Sequence, residues 1–122
     1  MLKIHETTRS DGSLAEIFLR TRGDDAVMIL DDGERTLPEG ALDAVMQKFG
    51  APLEANQKLG EVATLDLGGG RSLRHVRHLA RYDVIARDWL VYERPGAEPL
   101  CAMATTVAGA LEHLARAATT PR

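Results

Sequence analysis

The residues best suited to chemistry form the basic segment RSLRHVRHLAR at residues 71–81, which carries four arginines and two histidines but no acid. The whole chain has a net charge of −3, so this segment is a local basic island. An arginine guanidinium is a planar fork that binds phosphate bidentately and stacks on bases, and arginine is also common at protein interfaces. The segment predicts a surface for an anionic partner, although charge runs are also commonly solvated faces paired with the chain's own acids.

The basic segment fits two kinds of secondary structure. As a strand, its odd positions form a basic face that carries Arg71, His75, Arg77, Arg81 and Arg87. The even positions then form a largely apolar face with Val76, Ala80, Tyr82, Val84 and Ala86. The alternation is imperfect, because the basic face also carries Leu73, Leu79 and Ile85, and the apolar face also carries Arg74 and His78. As a helix, Ser72 would cap a stripe of Leu73, Val76, Leu79 and Ala80. The preceding GGG at residues 68–70 and the β-rich YDVIARDWLVYE that follows favour the strand.

Other residues could in principle hold an ion. Asp24–Asp25 and Asp31–Asp32 bracket a short apolar run, and their carboxylates are ligands that hard cations accept. Acidic pairs of this kind are far more often simple turns. His75 and His78 have an i, i+3 spacing, but the sequence places no third ligand near them. We predict no metal site.

Signatures of catalysis are equally weak. The glycines at 68–70 lack the Walker lysine and the dinucleotide-binding spacing, so a hairpin turn is the better interpretation. Cys101 lies in the apolar run PLCAMA, where a thiol is usually a small core residue with a raised pKa. No Ser-His-Asp or Cys-His arrangement can be assembled. We predict a protein that is not an enzyme and that has no catalytic residues and no cofactor.

Length and composition set the broad class. A chain of 122 residues with 44% hydrophobic and 27% charged residues is typical of one soluble globular domain, 1–122. The single cysteine excludes an internal disulfide and suggests a reducing compartment. The first twelve residues have no apolar signal region, and no window approaches the ~18 apolar residues that span a bilayer. The predicted location is cytoplasmic, with no membrane partner.

Charge is distributed unevenly between the two halves. Residues 1–60 hold 11 acids against 7 lysines and arginines, a net charge of −4. Residues 61–122 hold 8 arginines against 7 acids, a net charge of +1. A mildly acidic chain argues against nonspecific coating of duplex DNA, because phosphate affinity scales with local cationic contacts.

The first half of the chain predicts strands followed by a helix. Alternating apolar residues on both sides of Asp11–Gly12 indicate a hairpin, and AVMIL between two acidic turns indicates a further strand to which ERTL pairs back. The segment TLPEGALDAVMQKFG predicts a helix with Pro38 near its first turn. Its apolar stripe consists of Leu42, Val45, Met46 and Phe49.

The second half repeats this plan after a linker at 51–60. EVATLDL and SLRHVRHLA flank the triple glycine, DWLVYE and PLCAMA flank the turn RPGAE, and TTVAGALEHLARAA predicts a helix capped by Thr105 or Thr106. Its apolar stripe consists of Val107, Ala110, Leu111, Leu114 and Ala118. The predicted fold is α+β, with β-hairpin-rich pseudo-repeats at 1–50 and 61–118, each closed by an amphipathic helix on a curved antiparallel sheet, and a tail at 119–122.

A hairpin, two more strands and a closing helix, given twice, resembles the PUR-alpha repeat and the related coactivator PC4, the whirly-like single-stranded nucleic-acid-binding proteins. The closest local similarity is ERTLPEGALDAVMQKFG, which looks like the strand-to-helix junction of those repeats. The resemblance covers topology along most of the chain but residue-level similarity over only about 15 positions.

The resemblance implies a nucleic-acid site on the sheet surface away from the helices, with intertwined strands. Mapped onto this chain, the phosphate contacts are Arg71, Arg74, Arg77 and Arg81, and Arg87 of the same strand face is a further nucleic-acid-binding candidate. The candidates for base stacking are Tyr82, Trp89 or Tyr92. Trp89 and Tyr92 fall on opposite strand faces, so we expect one in the core and the other near the surface. The chain departs from the family in its acidic first half, which offers only Arg20, Arg22 and Phe18, and in its total of five aromatics.

Two functions therefore remain open at this point. The first is binding of single-stranded DNA or RNA through the 71–87 face, by a homodimer or a pseudo-duplicated monomer. The alternative is a protein-interaction or assembly module whose basic half docks on an acidic partner, such as the acidic half of a second copy. Both hypotheses use the same arginines.

Overall fold

The computed structural model describes residues 1–53, 59–78 and 87–119, and for Leu59, Glu61, His78, Arg87 and Thr119 it describes the backbone alone. Within these ranges the fold is α+β, with two antiparallel sheets and two helices. The first sheet consists of β1 (Leu2–Thr8), β2 (Leu14–Arg22), β3 (Asp25–Leu30) and β4 (Gly33–Thr36). After α1 (Ala41–Phe49) come β5 (Ala51–Pro52), β6 (Leu59–Gly68), β7 (Arg71–His78), β8 (Arg87–Glu93), β9 (Leu100–Met103) and α2 (Ala104–Thr119).

The first sheet is a simple meander in the order β1-β2-β3-β4. The hairpin predicted around Asp11–Gly12 is present: the Asp11 carboxylate accepts hydrogen bonds from the Ser13 amide and hydroxyl, and Gly12 has a φ of 86°. That positive φ is the conformation for which glycine is favoured in tight turns. AVMIL lies in β3 and the first three residues of ERTL lie in β4, and the two strands pair antiparallel as predicted.

The second sheet has the order β5-β9-β8-β7-β6 and contains the basic segment. Residues 71–78 form β7, so the strand interpretation is confirmed over this part, while residues 79–81 lie outside the described ranges. Gly68, Gly69 and Gly70 all have positive φ, between 63° and 80°, and make the turn that brings β6 onto β7. The triple glycine is therefore a hairpin turn, because three successive left-handed residues would strain any other side chain.

The helix of the first half begins later than its sequence pattern suggests. The Ala41 amide donates to the Pro38 carbonyl, and Gly40 at φ 76° separates that turn from α1, so Pro38 precedes the helix and lies outside its first turn. Leu42, Val45 and Met46 are buried as predicted. Phe49 is 41% exposed, because it lies at the end of the helix beneath the Lys48 ammonium, 5.2 Å from the ring centroid.

The helix of the second half, by contrast, starts earlier than predicted. It begins at Ala104, so Thr105 and Thr106 lie inside its first turn. Val107 and Leu111 are fully buried, Ala110 and Leu114 pack partly against the core, and Ala118 is exposed. Neither helix, over the described residues, is long and apolar enough to cross a membrane.

The helices connect the two sheets into one hydrophobic core. Helix α1 packs on α2 and β9, while α2 packs on β1 and β4 of the first sheet and on β8 and β9 of the second. Strand β1 of the first sheet also lies beside β6 and β7 of the second. The largest fully buried aliphatic side chains come from both sheets and both helices: Leu2, Ile4, Leu19, Met28, Met46, Leu73, Leu90 and Leu111.

Two glycines make a matched test of this packing. A Cβ on Gly50 would lie 2.3 Å from the Met46 carbonyl oxygen and 3.0 Å from Leu100 Cβ, whereas a Cβ on Gly109 in α2 meets nothing within 4 Å. We expect Gly50→Ala to lower the free energy of unfolding by about 1–3 kcal/mol through overpacking. Gly109→Ala should raise it by up to about 1 kcal/mol, because alanine is the better helix former. Urea denaturation measures both, and equal effects of the same sign would contradict the described contacts.

Candidate functional site

The side chains of β7 point alternately to two faces, and both faces are buried near the middle of the strand. Leu73 and His75 face the main core with Tyr92 and Leu90, their partners on β8. Val76 belongs to a smaller apolar cluster on the other face of the sheet. The predicted separation into a basic and an apolar face is thus absent, because Leu73 and His75 of the expected basic face point into the main core.

Arg71, at the start of β7, is part of a three-residue junction. Its Nη1 donates to Asp43 Oδ2 at 2.9 Å and to the Tyr92 hydroxyl at 3.1 Å. The Tyr92 hydroxyl donates to the other carboxylate oxygen of Asp43. Asp43 lies in the first turn of α1, so this junction ties the helix to β7 and β8. The Arg71 guanidinium is thereby held by the chain's own groups.

Arg74 and Arg77 are also paired, each with an acid of the neighbouring strand β8. Arg74 Nη2 lies 2.8 Å from Glu93 Oε1, and Arg77 Nε donates to Asp88 Oδ1 at 3.1 Å. The same Asp88 oxygen lies 3.0 Å from His75 Nε2. The pKa of Asp88 is lowered overall: burial, the largest single contribution, raises it, but the neighbouring His75 and Arg77 together outweigh that effect.

The two aromatic candidates of β8 lie on opposite faces, as the alternation predicts. The Tyr92 ring is fully buried in the main core, so in this conformation it offers no face to a stacked base. Trp89 is half-buried and packs against the small cluster of Val76, Val91 and Cys101. Of the remaining candidates, Arg81 and Tyr82 lie outside the described residues, and the Arg87 backbone pairs with that of His78 on β7.

Cations elsewhere in the described chain show the same pairing. Arg20 and Arg22 both lie 2.6 Å from Glu34 Oε2, and Lys3 contacts Glu6 and Glu16. Arg9 pairs with Asp31, while Asp32 accepts from Arg35 at 3.0 Å and from Arg116 at 2.9 Å. These two arginines, Arg116 foremost, lower the pKa of Asp32. The sequence pattern alone does not reveal this pairing, because it depends on which strands lie side by side.

The acidic turns do not come together as a metal site. Asp31 and Asp32 are occupied by arginines, whereas Asp24 and Asp25 border a different region at the start of α1. Among the described residues, no three His, Cys, Asp or Glu side chains are grouped so that they could hold a metal ion. Cys101 is buried, and burial raises the pKa of its thiol. This matches the expectation of a small core residue.

Two cavities border the helix starts and have no counterpart in the sequence-based predictions. The first, of about 480 Å³, lies at the start of α1 and is bordered by Asp24, Asp25, Glu39, Asp43 and Arg71. The second, of about 330 Å³, lies at the start of α2 between β1, β7 and β8. Residues that are distant in sequence line each cavity. The sequence pattern therefore indicates only the helix start that borders the cavity, and not the cavity itself.

Neither family models, curated proteins nor solved structures contain a match to this chain. The resemblance to the PUR-alpha and whirly-like proteins stays a hypothesis.

The Tyr92 junction predicts a pH dependence of stability. Burial foremost, together with the Asp43 carboxylate, raises the pKa of Tyr92, while Arg71 opposes the shift. The folded state therefore favours the protonated phenol, whose stabilising effect is present below the unfolded pKa of about 10 and is lost as the pH rises toward the folded pKa. We expect the free energy of unfolding of the wild type to fall more steeply above pH ~10 than that of Tyr92→Phe.

Urea denaturation at several pH values from 8 to 11 measures this difference. At pH 8 the Tyr92→Phe variant should also be less stable by about 1–2 kcal/mol, because it loses the hydroxyl's hydrogen bonds. Lysine titration affects both proteins and cancels in the comparison. Parallel pH profiles for the two proteins would show that the phenol does not titrate differently on folding.

Proposed function

We propose that this protein is a small non-enzymatic interaction module that binds a basic segment of a partner protein. The observation that carries the proposal is the pairing of Arg71, Arg74 and Arg77 with Asp43, Glu93 and Asp88. Cations engaged in this way serve the fold and are poorly placed to recruit an anionic partner. This proposal keeps the interaction module, but its partner is basic, whereas the sequence predicted an acidic one.

Acids around the first cavity support a basic partner. Asp24, Asp25 and Glu39 border the cavity, and none of them has an ion pair or side-chain hydrogen bond within the described part of the chain. Asp43 is compensated by Arg71. The start of α1 supplies roughly half a positive charge, which offsets only part of the three remaining negative charges. Lysine or arginine side chains of a partner would complement this rim.

Single-stranded nucleic-acid binding is the second candidate. Arg20 and Arg22 share one carboxylate, Glu34, and by register lie on the same face of β2 as the half-buried Phe18. The order of strands followed by a helix occurs twice, and each helix contacts the sheet of the other half. Both features support two whirly-like repeats. Exposed ion pairs contribute only about 0.2–1 kcal/mol each, so a polyanion at low salt can compete for these arginines.

An oligonucleotide titration separates the two candidates. The interaction module predicts no saturable change in the anisotropy of a labelled oligothymidine at ~150 mM salt, because Glu93 and Asp88 already occupy the cations and repel phosphate. Nucleic-acid binding predicts saturation whose log–log slope against salt approaches one unit per phosphate contact. It also predicts weaker binding by Arg74→Ala/Arg77→Ala than by the control Arg9→Ala/Arg116→Ala, which removes equal charge from other ion pairs.

A labelled oligoarginine peptide tests the basic-partner proposal directly. We expect saturable binding that weakens several-fold in Asp24→Asn/Glu39→Gln. The control Asp11→Asn/Glu98→Gln makes the same change in net charge at exposed acids away from the cavity and should bind like the wild type. Equal weakening in both variants would indicate a bulk charge effect and would overturn the assigned surface. The homodimer remains a separate prediction, which sedimentation velocity at micromolar concentration tests.

A further inference from the structure

The second cavity lies where the start of α2 meets β1, β7 and β8. Its polar walls include Lys3 and His5 of β1, His75 and Arg77 of β7, Asp88 of β8, and Thr105 of α2. We propose that this cavity binds a small anion through a carboxylate or phosphate group. The proposal is independent of the basic-partner function, because it concerns a different cavity at the other helix.

The start of α2 is a position that attracts an anion. A helix leaves the amide groups of its first turn without intrahelical acceptors, and its aligned peptide dipoles place roughly half a positive charge there. Helix α2 has 16 residues, and its first turn contains no acidic side chain that would compensate this charge. Thr105 adds a hydroxyl donor beside the cavity. Such helix starts bind carboxylate and phosphate groups readily.

His75 of β7 is a second feature of this cavity, and it is independent of the helix. The side chain is 6% exposed and is the one buried polar or charged residue in the described part of the chain. Its Nε2 lies 3.0 Å from Asp88 Oδ1 but forms no hydrogen bond of acceptable geometry among the described residues. A buried donor left without an acceptor destabilises the fold. An oxygen of a bound anion would supply the missing acceptor.

The charges around the cavity are compatible with an anion. Glu6 accepts a hydrogen bond from Lys3 at 2.7 Å, and Asp88 accepts one from Arg77 at 3.1 Å, so both acids already have a cation of their own. The helix start and the two histidines remain to interact with a ligand. A volume of about 330 Å³ is at the lower end for ligand cavities, which favours a small metabolite over a polymer.

Two neighbouring threonines provide a matched pair of variants. Thr105→Asp places a carboxylate at the cavity, whereas Thr106→Asp places one in the same helical turn but outside the cavity lining. Both changes complement the helix dipole equally, so they should affect helix stability alike. Only Thr105→Asp should repel an anion in the cavity.

The measurement is a ¹⁵N–¹H NMR titration of the intact chain with sodium phosphate and, separately, with sodium acetate, against sodium chloride at matched ionic strength. We expect saturable shifts of the amides of residues 104–106 in the wild type and in Thr106→Asp, and binding at least tenfold weaker in Thr105→Asp. The anion that binds more tightly shows whether the cavity prefers a phosphate or a carboxylate group. His75→Gln should weaken binding, while the exposed control His113→Gln should leave it unchanged.

Absence of saturable shifts beyond those caused by chloride would overturn the proposal. Equal affinity of Thr105→Asp and Thr106→Asp would overturn it as well, because the anion would then bind elsewhere. Should His75→Gln fail to fold, the threonine pair alone decides the outcome. The oligoarginine titration uses a different cavity, so failure of either experiment leaves the other interpretable.

Discussion

The Asp43 carboxylate is the group on which the arrangement of the second sheet and the first helix depends. It lies in the first turn of α1 and accepts hydrogen bonds from Tyr92 of β8 and Arg71 of β7. Tyr92 is a fully buried aromatic, and a buried hydroxyl without a partner is costly. Satisfying that hydroxyl positions α1 over the sheet, and the helix in turn packs against α2. The core shared by both sheets follows from this placement.

The same constraint decides what the basic strand can do. Arg71 is required by the junction, and the antiparallel register of β7 with β8 places Arg74 and Arg77 beside Glu93 and Asp88. Over the described residues 71–77, a stretch that is strongly basic in sequence thus has an acid beside each of its arginines. Each exposed pair contributes little to stability, but together the pairs lower the positive potential around Arg71, Arg74 and Arg77. Charge counted along a sequence is therefore a poor guide to surface potential in an antiparallel sheet.

Each cavity lies at the start of a helix, beside residues of both sheets. Helix α1 begins beside the β2–β3 turn and the glycine turn before β7, and α2 begins beside β1 and the paired strands β7 and β8. Their chemistry differs because their neighbours differ. The first is bordered by Asp24, Asp25 and Glu39, which have no ion pair among the described residues, and the second by His75 and by acids that already have cations. One fold therefore presents two surfaces suited to ligands of opposite charge.

Elements whose causes are local can be predicted from the residues alone. Asp11–Gly12 and the glycines at 68–70 specify turns through backbone conformation, and the apolar spacing of Leu42, Val45 and Met46 specifies a helix. Three features became clear only from the folded structure. They are the acid that each arginine faces, the burial of Tyr92 rather than Trp89 in the main core, and the contact of α2 with both sheets. The left-handed conformation of Gly40 also places the start of α1 after Pro38. These features depend on strand register and on packing between distant segments, which a one-dimensional pattern does not encode.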